Sequence, residues 1–412
     1  MILINSLKTS PGLEPRIGVQ VFSKDEILPE HRFFLKKANL FGISPIEAWV
    51  VKGTNAQINY STHGVYRYFG KFPAPIAAKL IFDYTALGDL IIDPACGSGT
   101  TGVEALLSGR RALLQDVNPL SVLISKVKTT QLNEHDLVKS ISELKKRFNR
   151  SKAKPFETSE IDLDHWFLPE TTRQLSRLRS SIYCESDKDL QDFLLMAFGS
   201  IIRRVSRATT QQGRLFLDVD TAIEDIWTTF EKVADKATER IAALPKFDHV
   251  RVVQEGLLST EQTGDPVAPL VIYHPPYFNA YKYTSINSLE MAWLNFPRKA
   301  TRKNEIREFF KVGKVENAHF YIEDMVQSLK KIHRRVKSNG IVAMMIGDAL
   351  IKAQHVDVTS QIINKISNNF KVEKIILRIP KFTEATWATS QRRNTTDLGV
   401  TMFDFIIVLR AK

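Results

Sequence analysis

The sequence predicts an α/β protein with a doubly wound, mostly parallel sheet, an antiparallel pair of strands at the C-terminal end and an inserted helical subdomain. Two observations carry this prediction. Short apolar runs bounded by turn residues alternate with helical patterns from residue 80 onward. The alternation is interrupted once, by the mostly helical residues 131–246, which are too numerous for a loop between two strands.

Seven apolar runs are the predicted strands of this sheet, because each is short and flanked by turn residues. They are Leu90–Asp93, Ala112–Leu114, Val250–Val253, Val271–Tyr273, Ile341–Ile346, Val372–Ile379 and Phe403–Leu409. The last two are the longest. The polar segment Lys381–Leu398 joins them, which predicts that they pair in antiparallel fashion.

Apolar residues repeated every three or four positions predict the helices. One set predicts a helix before the fifth strand: Val326, Leu329, Ile332 and Val336. Similar repeats over residues 137–148 and 190–205 predict helices in the insert. We therefore divide the chain into an N-terminal segment of unassigned role (1–59), a main α/β domain (60–130 and 247–412) and the helical insert (131–246).

The chain carries a formal net charge of +12, which favours a polyanionic partner, although many soluble proteins are also basic. Basic residues cluster in the helical insert. One such run is usually a solvated surface, but several in one insert favour contacts with phosphates. The candidate contacts are Lys145, Lys146, Arg147, Arg203, Arg204, Arg207 and Arg214.

Other features of the composition argue against several classes of protein. Cys96 and Cys184 are the two cysteines, and without a CxxC pair or a Cys/His cluster a metal site or a disulfide framework is not expected. No run reaches the roughly 18 apolar residues of a membrane span, and the N-terminus lacks the apolar core of a signal peptide. We expect a soluble cytoplasmic protein.

A glycine-rich loop follows the first predicted strand, with Gly97, Gly99 and Gly102 before and inside a predicted helix. Glycine allows a sharp turn and a close approach to a ligand, and the helix N-terminus offers free N–H groups. A P-loop would need lysine where Thr100 stands. A dinucleotide site and an S-adenosylmethionine site both remain open at this point.

An acidic residue, Asp116, follows the second predicted strand. Its carboxylate can accept hydrogen bonds from both ribose hydroxyls of either nucleoside ligand. The alternative is a helix cap before Asn118. Cys96, within the glycine loop, is interpreted as a small packing residue because no base lies near it in sequence.

The fourth predicted strand runs into His274-Pro275-Pro276-Tyr277. Two prolines at the end of a buried strand fix the chain direction and hold their carbonyls rigidly. The Pro275 carbonyl and the residue at 274 could accept hydrogen bonds from an sp² amine, whose delocalised lone pair makes it a poor nucleophile. Tyr277 could stack on an extruded base. The alternative is a tight turn with a buried aromatic residue.

At these residues the chain resembles the amino-methyltransferases of DNA. The loop from Asp93 to Thr101, with the acid at 116, resembles their cofactor motif, and residues 69–75 resemble their other cofactor segment. The corner at 274–277 resembles their catalytic (D/N/S)PP(Y/F). The resemblance covers roughly residues 60–130 and 247–412, and leaves the N-terminal segment and the insert unexplained.

The resemblance implies a seven-stranded methyltransferase sheet, base flipping and direct methyl transfer from S-adenosylmethionine to an exocyclic amine in double-stranded DNA. The implied catalytic residues are His274, Pro275, Pro276 and Tyr277. The implied cofactor-binding residues are Phe69, Lys71, Phe72, Pro73, Asp93, Pro94, Gly97, Ser98, Gly99, Thr100, Thr101, Asp116 and Asn118. The motif order makes the helical insert the candidate for target recognition, and leaves a restriction or defence partner open.

Position 274 departs from the family, which has Asp, Asn or Ser there. A neutral imidazole can accept a hydrogen bond, whereas a protonated one cannot and would repel the sulfonium. Methylation should therefore fall as the imidazole becomes protonated. Residues 277–284 resemble the Ser-type relatives, which favours cytosine N4 over adenine N6. Tyr281 and Tyr283 could line the base pocket or belong to the core.

Three other functions stay open on the sequence alone. An RNA base methyltransferase could use the same scaffold, and His274 could mark an inactive relative that binds cofactor and DNA. A nicotinamide oxidoreductase would leave residues 275–277 and the basic insert without a role.

Overall fold

The computed structural model describes residues 18–26, 46–211, 214–246, 249–258, 267–279, 283–351, 354–379 and 404–412. Tyr281, the segment Lys381–Leu398 and most of residues 1–59 lie outside these ranges, as does the side chain of Arg214. The predictions made for them are not addressed by the structure.

Thirteen strands are described, and all seven predicted strands are among them, with ends that differ by a few residues. The strands are β1 (Val19–Ser23), β2 (Ile46–Val51), β3 (Leu90–Asp93), β4 (Arg111–Asp116), β5 (Ala208–Gln211), β6 (Arg214–Leu217), β7 (Val250–Gln254), β8 (Ala268–Tyr273), β9 (Val336–Ile346), β10 (Ala349–Ile351), β11 (Gln354–Val356), β12 (Phe370–Ile379) and β13 (Asp404–Ala411).

Nine strands form one sheet in the order β1-β2-β12-β13-β9-β8-β3-β4-β7. The pairs β7–β4, β4–β3, β3–β8 and β8–β9 are parallel, whereas β13 is antiparallel to both β9 and β12. The predicted seven-stranded sheet with its C-terminal antiparallel pair is therefore confirmed. Two further strands extend it, because β2 pairs in parallel with β12 and β1 pairs with β2.

The α-helices are α1 (Asn55–Ile58), α2 (Ala74–Tyr84), α3 (Thr100–Leu107), α4 (Pro119–Thr129), α5 (Glu134–Arg150), α6 (Leu163–Trp166), α7 (Pro169–Ile182), α8 (Lys188–Ile202), α9 (Ile226–Ala242), α10 (Tyr283–Ile286), α11 (Ser288–Trp293), α12 (Arg298–Asn304), α13 (Phe309–Val312), α14 (Ala318–His333) and α15 (Thr359–Lys365). Short 3₁₀ turns cover Lys24–Glu26, Ser61–Gly64 and Val315–Asn317.

Two predicted helices end earlier than their apolar patterns suggested. Val336 lies in β9, where it pairs with Ala268, and is not part of α14. Val205 lies beyond the end of α8, although its side chain is buried. In both places an apolar residue at helical spacing is buried by tertiary packing after the helix has ended.

Helices cover both faces of the sheet. Along β8, Val271 and Tyr273 belong to one apolar cluster, which includes residues of α14 and α15. Leu270 and Ile272 belong to a second cluster, which includes residues of α2. This alternation places one core on each face, as a doubly wound fold requires.

The insert contains α5 to α9, of which the apolar repeats predicted α5 and α8, and also a hairpin of β5 and β6 that was not predicted. Its helices share one apolar cluster with α4 and α11, so the insert packs directly on the α/β domain. Within the described ranges, no helix is long and apolar enough to cross a membrane.

Candidate active site

Three neighbouring parallel strands, β4, β3 and β8, end at the same edge of the sheet. The glycine loop follows β3, Asp116 ends β4, and the diproline corner follows β8. Ligands of open α/β sheets bind at the carboxyl ends of the strands. Here the three segments line one pocket that encloses about 990 Å³, including its open mouth.

Eleven of the sequence-predicted residues line this pocket. They are Lys71, Phe72, Asp93, Pro94, Gly97, Ser98, Asp116, Asn118, His274, Pro276 and Tyr283. The other predicted catalytic and cofactor-binding residues with a described position lie within three residues of these in the chain. They are Phe69, Pro73, Gly99, Thr100, Thr101, Pro275 and Tyr277.

The glycine loop turns through two residues of positive φ, Gly97 (50°) and Gly99 (71°). Gly99 begins α3 and lies against α4. A Cβ added there would be 2.7 Å from Ser125 Oγ and 2.9 Å from Ser125 Cα. The loop therefore needs glycine at position 99 both for its conformation and for its contact.

Asp93 holds the start of this loop. Its carboxylate accepts hydrogen bonds from Thr101 Oγ1 (2.5 Å) and from the backbone N–H of Ala95 (3.2 Å). Burial raises the pKa of Asp93 to about 7, against the opposing effect of these hydrogen bonds. The pocket thus contains a carboxyl group that is easily protonated near neutral pH.

Asp116 links the loop to the second strand. It accepts hydrogen bonds from the backbone N–H groups of Gly97 (2.9 Å) and Asn118 (2.8 Å). Burial raises the pKa of Asp116 to about 6. Hydrogen bonds from Asn118, Gly97, the Ser121 side chain and the Val117 backbone lower this pKa in turn.

Two buried polar atoms in the pocket wall have no hydrogen-bond partner among the described residues: Ser98 Oγ and Asn118 Nδ2. Both side chains are 3% exposed. Buried polar atoms are normally bonded, and an orphan at a pocket surface indicates a missing ligand or water. Together with the glycine cradle, these atoms fit a ligand that carries several polar groups.

The segment before α2 forms another side of the pocket. Phe72 meets the His274 ring edge to face, with centroids 5.4 Å apart. The Lys71 ammonium donates to the His63 carbonyl (2.9 Å) and to Asn59 Oδ1. Burial lowers the pKa of Lys71 to about 8.

The diproline corner is held from behind. Tyr321 Oη donates a hydrogen bond to the Pro276 carbonyl (3.0 Å). His274 Nε2 lies 3.3 Å from Tyr277 Oη. The His274 imidazole therefore lies between Phe72 and Tyr277 and lines the pocket. A positive charge on it would act electrostatically on a ligand in the pocket.

Two tyrosines face each other across the pocket. The rings of Tyr68 and Tyr283 lie 6.2 Å apart with planes inclined by 16°. Tyr68 Oη is bonded to Ser121 Oγ (2.8 Å), and Tyr283 Oη lies over Gly70. Sequence reasoning identified Tyr283 but missed Tyr68, although its position next to the 69–75 segment was a usable signal.

A further wall was missed entirely. It consists of residues 302–308, at the end of α12 and the start of α13, and of residues 255–258 after β7. The side chains of Arg302, Glu305 and Glu308 line the pocket. They belong to no recognisable motif, and only the tertiary structure brings them to the edge of the sheet.

Most basic residues of the insert that were predicted to contact phosphates are bonded within the chain. Arg203 donates to Glu290 Oε1 (2.7 Å), and Arg207 donates to the His165 carbonyl (2.8 Å). Lys145 pairs with Glu231 and Arg147 pairs with Glu185, each at 3.1 Å, and the second pair is partly buried. Lys146 and Arg204 are exposed. A role for any of these residues in nucleic-acid binding stays a prediction.

Cys96 is buried in the apolar cluster behind the loop, and burial raises the pKa of its thiol well above the usual value. This environment agrees with a packing role. Across the described residues, no group of three or more His, Cys, Asp and Glu side chains could hold a metal ion.

Residues 34–127 match a family model of N6/N4 type described as DNA methylase. The chain is 24% identical to Type II methyltransferase M.MvaI of Kocuria varians over 307 residues, which are 66% of this chain and 67% of that protein. It is 25% identical to Type II methyltransferase M.BsoBI of Geobacillus stearothermophilus over 357 residues, 74% of this chain and 66% of that protein. The chain thus spans about two thirds of the length of these relatives.

The chain also shows weak similarity to solved structures. TrmN from Thermus thermophilus covers 83% of this chain and 50% of its own, with a TM-score of 0.33 and 9% identity. A TehB-like S-adenosylmethionine-dependent methyltransferase from Corynebacterium glutamicum covers 82% and 87%, with a TM-score of 0.30 and 10% identity.

Proposed function

We propose that this chain, whose residues 34–127 match a family model of N6/N4 DNA methylases and which is similar to two Type II methyltransferases, methylates an exocyclic amine of a base in double-stranded DNA, with S-adenosylmethionine as the methyl donor. One observation carries the proposal: the glycine loop, Asp116 and the diproline corner line the same pocket. A methyl donor on the first two and an amine at the third would therefore be neighbours.

The pocket suits this donor. S-adenosylmethionine supplies an electrophilic methyl group on a positively charged sulfur. Asp116 would accept from the ribose hydroxyls, and the unpartnered Ser98 Oγ and Asn118 Nδ2 would find partners on the ligand. Asp93 would keep the loop in shape through its bonds to Thr101 and Ala95.

The corner would activate the amine. The Pro275 carbonyl and a neutral His274 would accept hydrogen bonds from the two N–H groups and so favour an sp³ nitrogen. Bound S-adenosylmethionine would supply the methyl group and leave as its thioether, and the methylated amine would give up one proton. A neutral His274 in hydrogen-bond contact could take that proton. Tyr277 would stack on the flipped base.

We further propose cytosine N4 as the acceptor, on the likeness of residues 277–284 to the Ser-type relatives. Sequencing of genomic DNA from cells that express the chain, with detection of modified bases, would identify both the base and the target sequence. Detection of N6-methyladenine alone would contradict the cytosine assignment and leave the wider proposal intact.

The direct test is transfer of a radiolabelled methyl group from S-adenosylmethionine to duplex DNA. The intact chain should label DNA, and His274→Ala and Asp93→Ala should lose most of that activity. His135→Ala, an exposed histidine at the start of α5, serves as the control and should behave like the unaltered protein. Label in total tRNA but not in any duplex would contradict the choice of DNA.

His274 motivates a second candidate, a relative that binds cofactor and DNA without turnover, because the family has Asp, Asn or Ser at this position. In that case calorimetry would detect S-adenosylmethionine binding while no duplex became labelled. His274→Asp and His274→Ser would separate the candidates, since a gain of activity would show that histidine had been the block.

A further inference from the structure

The wall formed by residues 302–308 gives the pocket a charge that its motifs alone do not explain. Glu305 follows α12 directly and lines the pocket. Its Oε2 accepts a hydrogen bond from Arg302 Nη1 (3.2 Å) and lies 3.5 Å from Thr284 Oγ1. Thr284 is next to Tyr283, so Glu305 stands beside the tyrosine side of the site.

Carboxyl groups outnumber cations around this pocket. The acidic side chains that line it are Asp93, Asp116, Glu255, Glu305 and Glu308, and the Lys and Arg side chains are Lys71 and Arg302. Arg302 bonds both Glu305 and Glu308, so one guanidinium serves two acids. Such a pocket favours a positively charged ligand.

The surroundings of Glu305 also favour a positively charged ligand. Burial raises its pKa to about 7, and among the further causes Asp116 raises it while Lys311 and Arg302 lower it. Asp116 and Glu305 both line the pocket, so their negative charges repel each other through the space between them. A cation placed in that space would relieve the repulsion.

An independent observation indicates that a ligand belongs there. Ser98 Oγ and Asn118 Nδ2, both buried in the same pocket wall, lack partners among the described residues. These atoms are polar but uncharged, so they indicate a ligand without deciding its charge. The excess of acidic side chains around the pocket indicates that the ligand is positively charged.

Glu305 differs from Asp93, Asp116 and Glu308 in what its carboxylate holds. Asp93, Asp116 and Glu308 each accept a hydrogen bond from a backbone N–H and so maintain the shape of a loop or a helix start. The bonds described for the Glu305 carboxylate come from side chains. Its charge can therefore be changed with less effect on the backbone.

We propose that Glu305 supplies the negative charge by which the pocket prefers the sulfonium methyl donor over its neutral thioether product. This inference rests on the proposed function. S-adenosylmethionine and S-adenosylhomocysteine share the adenosine and amino-acid ends, and differ by one methyl group and one positive charge. A residue that senses this charge would favour product release and reloading.

The test is calorimetric titration of the full chain with each compound at pH 8, where Glu305 is largely ionised. Glu305→Gln should weaken binding of S-adenosylmethionine roughly tenfold and change binding of S-adenosylhomocysteine by less than about twofold. Glu305→Asp keeps the charge and should keep the preference. Glu316→Gln, an exposed glutamate on the turn before α14, is the control and should match the unaltered protein.

The outcomes separate this inference from the proposed function. If the unaltered chain binds neither compound, the proposed function itself fails. If it binds both, and Glu305→Gln weakens them equally or not at all, the role of Glu305 is overturned. Should Glu305→Gln fail to fold, sinefungin provides a second test, because it carries an amine in place of the methylsulfonium. Binding no tighter than that of S-adenosylhomocysteine would overturn the preference for positive charge.

Discussion

Gly99 has a backbone conformation and a close neighbour that together exclude any side chain. Gly99→Ala would place its Cβ 2.9 Å from Ser125 Cα, a contact that only a backbone shift can relieve. We expect the variant to lose most of its affinity for S-adenosylmethionine and to unfold at a lower temperature, as calorimetry and thermal denaturation would measure.

Gly88→Ala is the matched control for this change. Gly88 has a similar φ of 77°, but open space surrounds its missing Cβ. Both variants carry the strain of a positive φ, about 1–2 kcal/mol, so their difference isolates the clash with α4. Equal losses of stability and equal cofactor affinities would show that the contact at 125 is unimportant.

Tyr321 is a positioning residue that the sequence did not suggest. Its hydroxyl donates to the Pro276 carbonyl, and its ring is buried. Tyr321→Phe removes that bond, worth about 1 kcal/mol, and should lower kcat about fivefold while leaving cofactor affinity unchanged. Tyr273→Phe removes another buried hydroxyl, bonded to Ser328, and should spare kcat. A parallel fall in both variants would assign the loss to general destabilisation.

At the scale of single residues, the parts of the site that form a continuous motif in the sequence were predictable. Side chains that come to the site from distant parts of the chain were not. The glycine loop and the diproline corner have local signatures, because glycine and proline restrict the backbone wherever they occur. Glu305 and Tyr321 have no such signature. Their roles depend on which elements the sheet brings together, and a single sequence does not contain that information in readable form.

The insert shows how a basic sequence pattern can serve the fold. Arg203 follows α8 and bonds the Ile286 carbonyl (2.8 Å), Glu290 and Thr210 Oγ1 (3.2 Å). It therefore ties the insert to α10 and α11, and ties α8 to β5 within the insert. Arg203→Ala would leave the buried Glu290 carboxylate without its cation. We expect a loss of about 3 kcal/mol in the free energy of unfolding, measured with denaturant.

Arg204, one residue along the chain, is exposed and provides the contrast. Arg204→Ala should leave stability nearly unchanged. If Arg204 contacts a phosphate, the variant should bind duplex DNA more weakly and reduce the slope of log K against log salt by about 0.9. An unchanged slope would remove Arg204 from the interface.

Strands with a recognisable apolar run were predicted from the sequence, whereas strands without one were not. The strands β3, β4, β7, β8, β9, β12 and β13 all have apolar runs long enough to be recognised. β1 and β2 lie in a segment where short apolar runs are mixed with charges, and the hairpin of β5 and β6 has exposed residues such as Phe216. Such strands are stabilised by pairing with a neighbouring strand, so their own residues give only a weak indication that they form.

For the whole molecule, the parallel order of β7, β4, β3, β8 and β9 explains why separated motifs meet. Each βα connection returns the chain to the same starting edge, so the loops after β3, β4 and β8 lie together at the carboxyl edge. The helical insert lies between β4 and β7 in the chain without disturbing this order. The length of the insert increases the number of residues between the glycine loop and the diproline corner. It does not move the two segments apart in the folded structure.

The pocket as a whole should couple cofactor binding to protons. Burial raises the pKa of Asp93 to about 7, of Asp116 to about 6 and of Glu305 to about 7. A bound cation stabilises the ionised form of each carboxyl and lowers its pKa, so binding at pH 6.5 should release protons. Affinity for S-adenosylmethionine should then fall as the pH is lowered from 8 to 5.5.

Titrations at pH 6.5 in two buffers of different ionisation enthalpy would count the protons released on binding. Binding of the neutral product should release fewer protons. Proton uptake, or an affinity independent of pH over this range, would mean that these carboxyls do not face the bound cation.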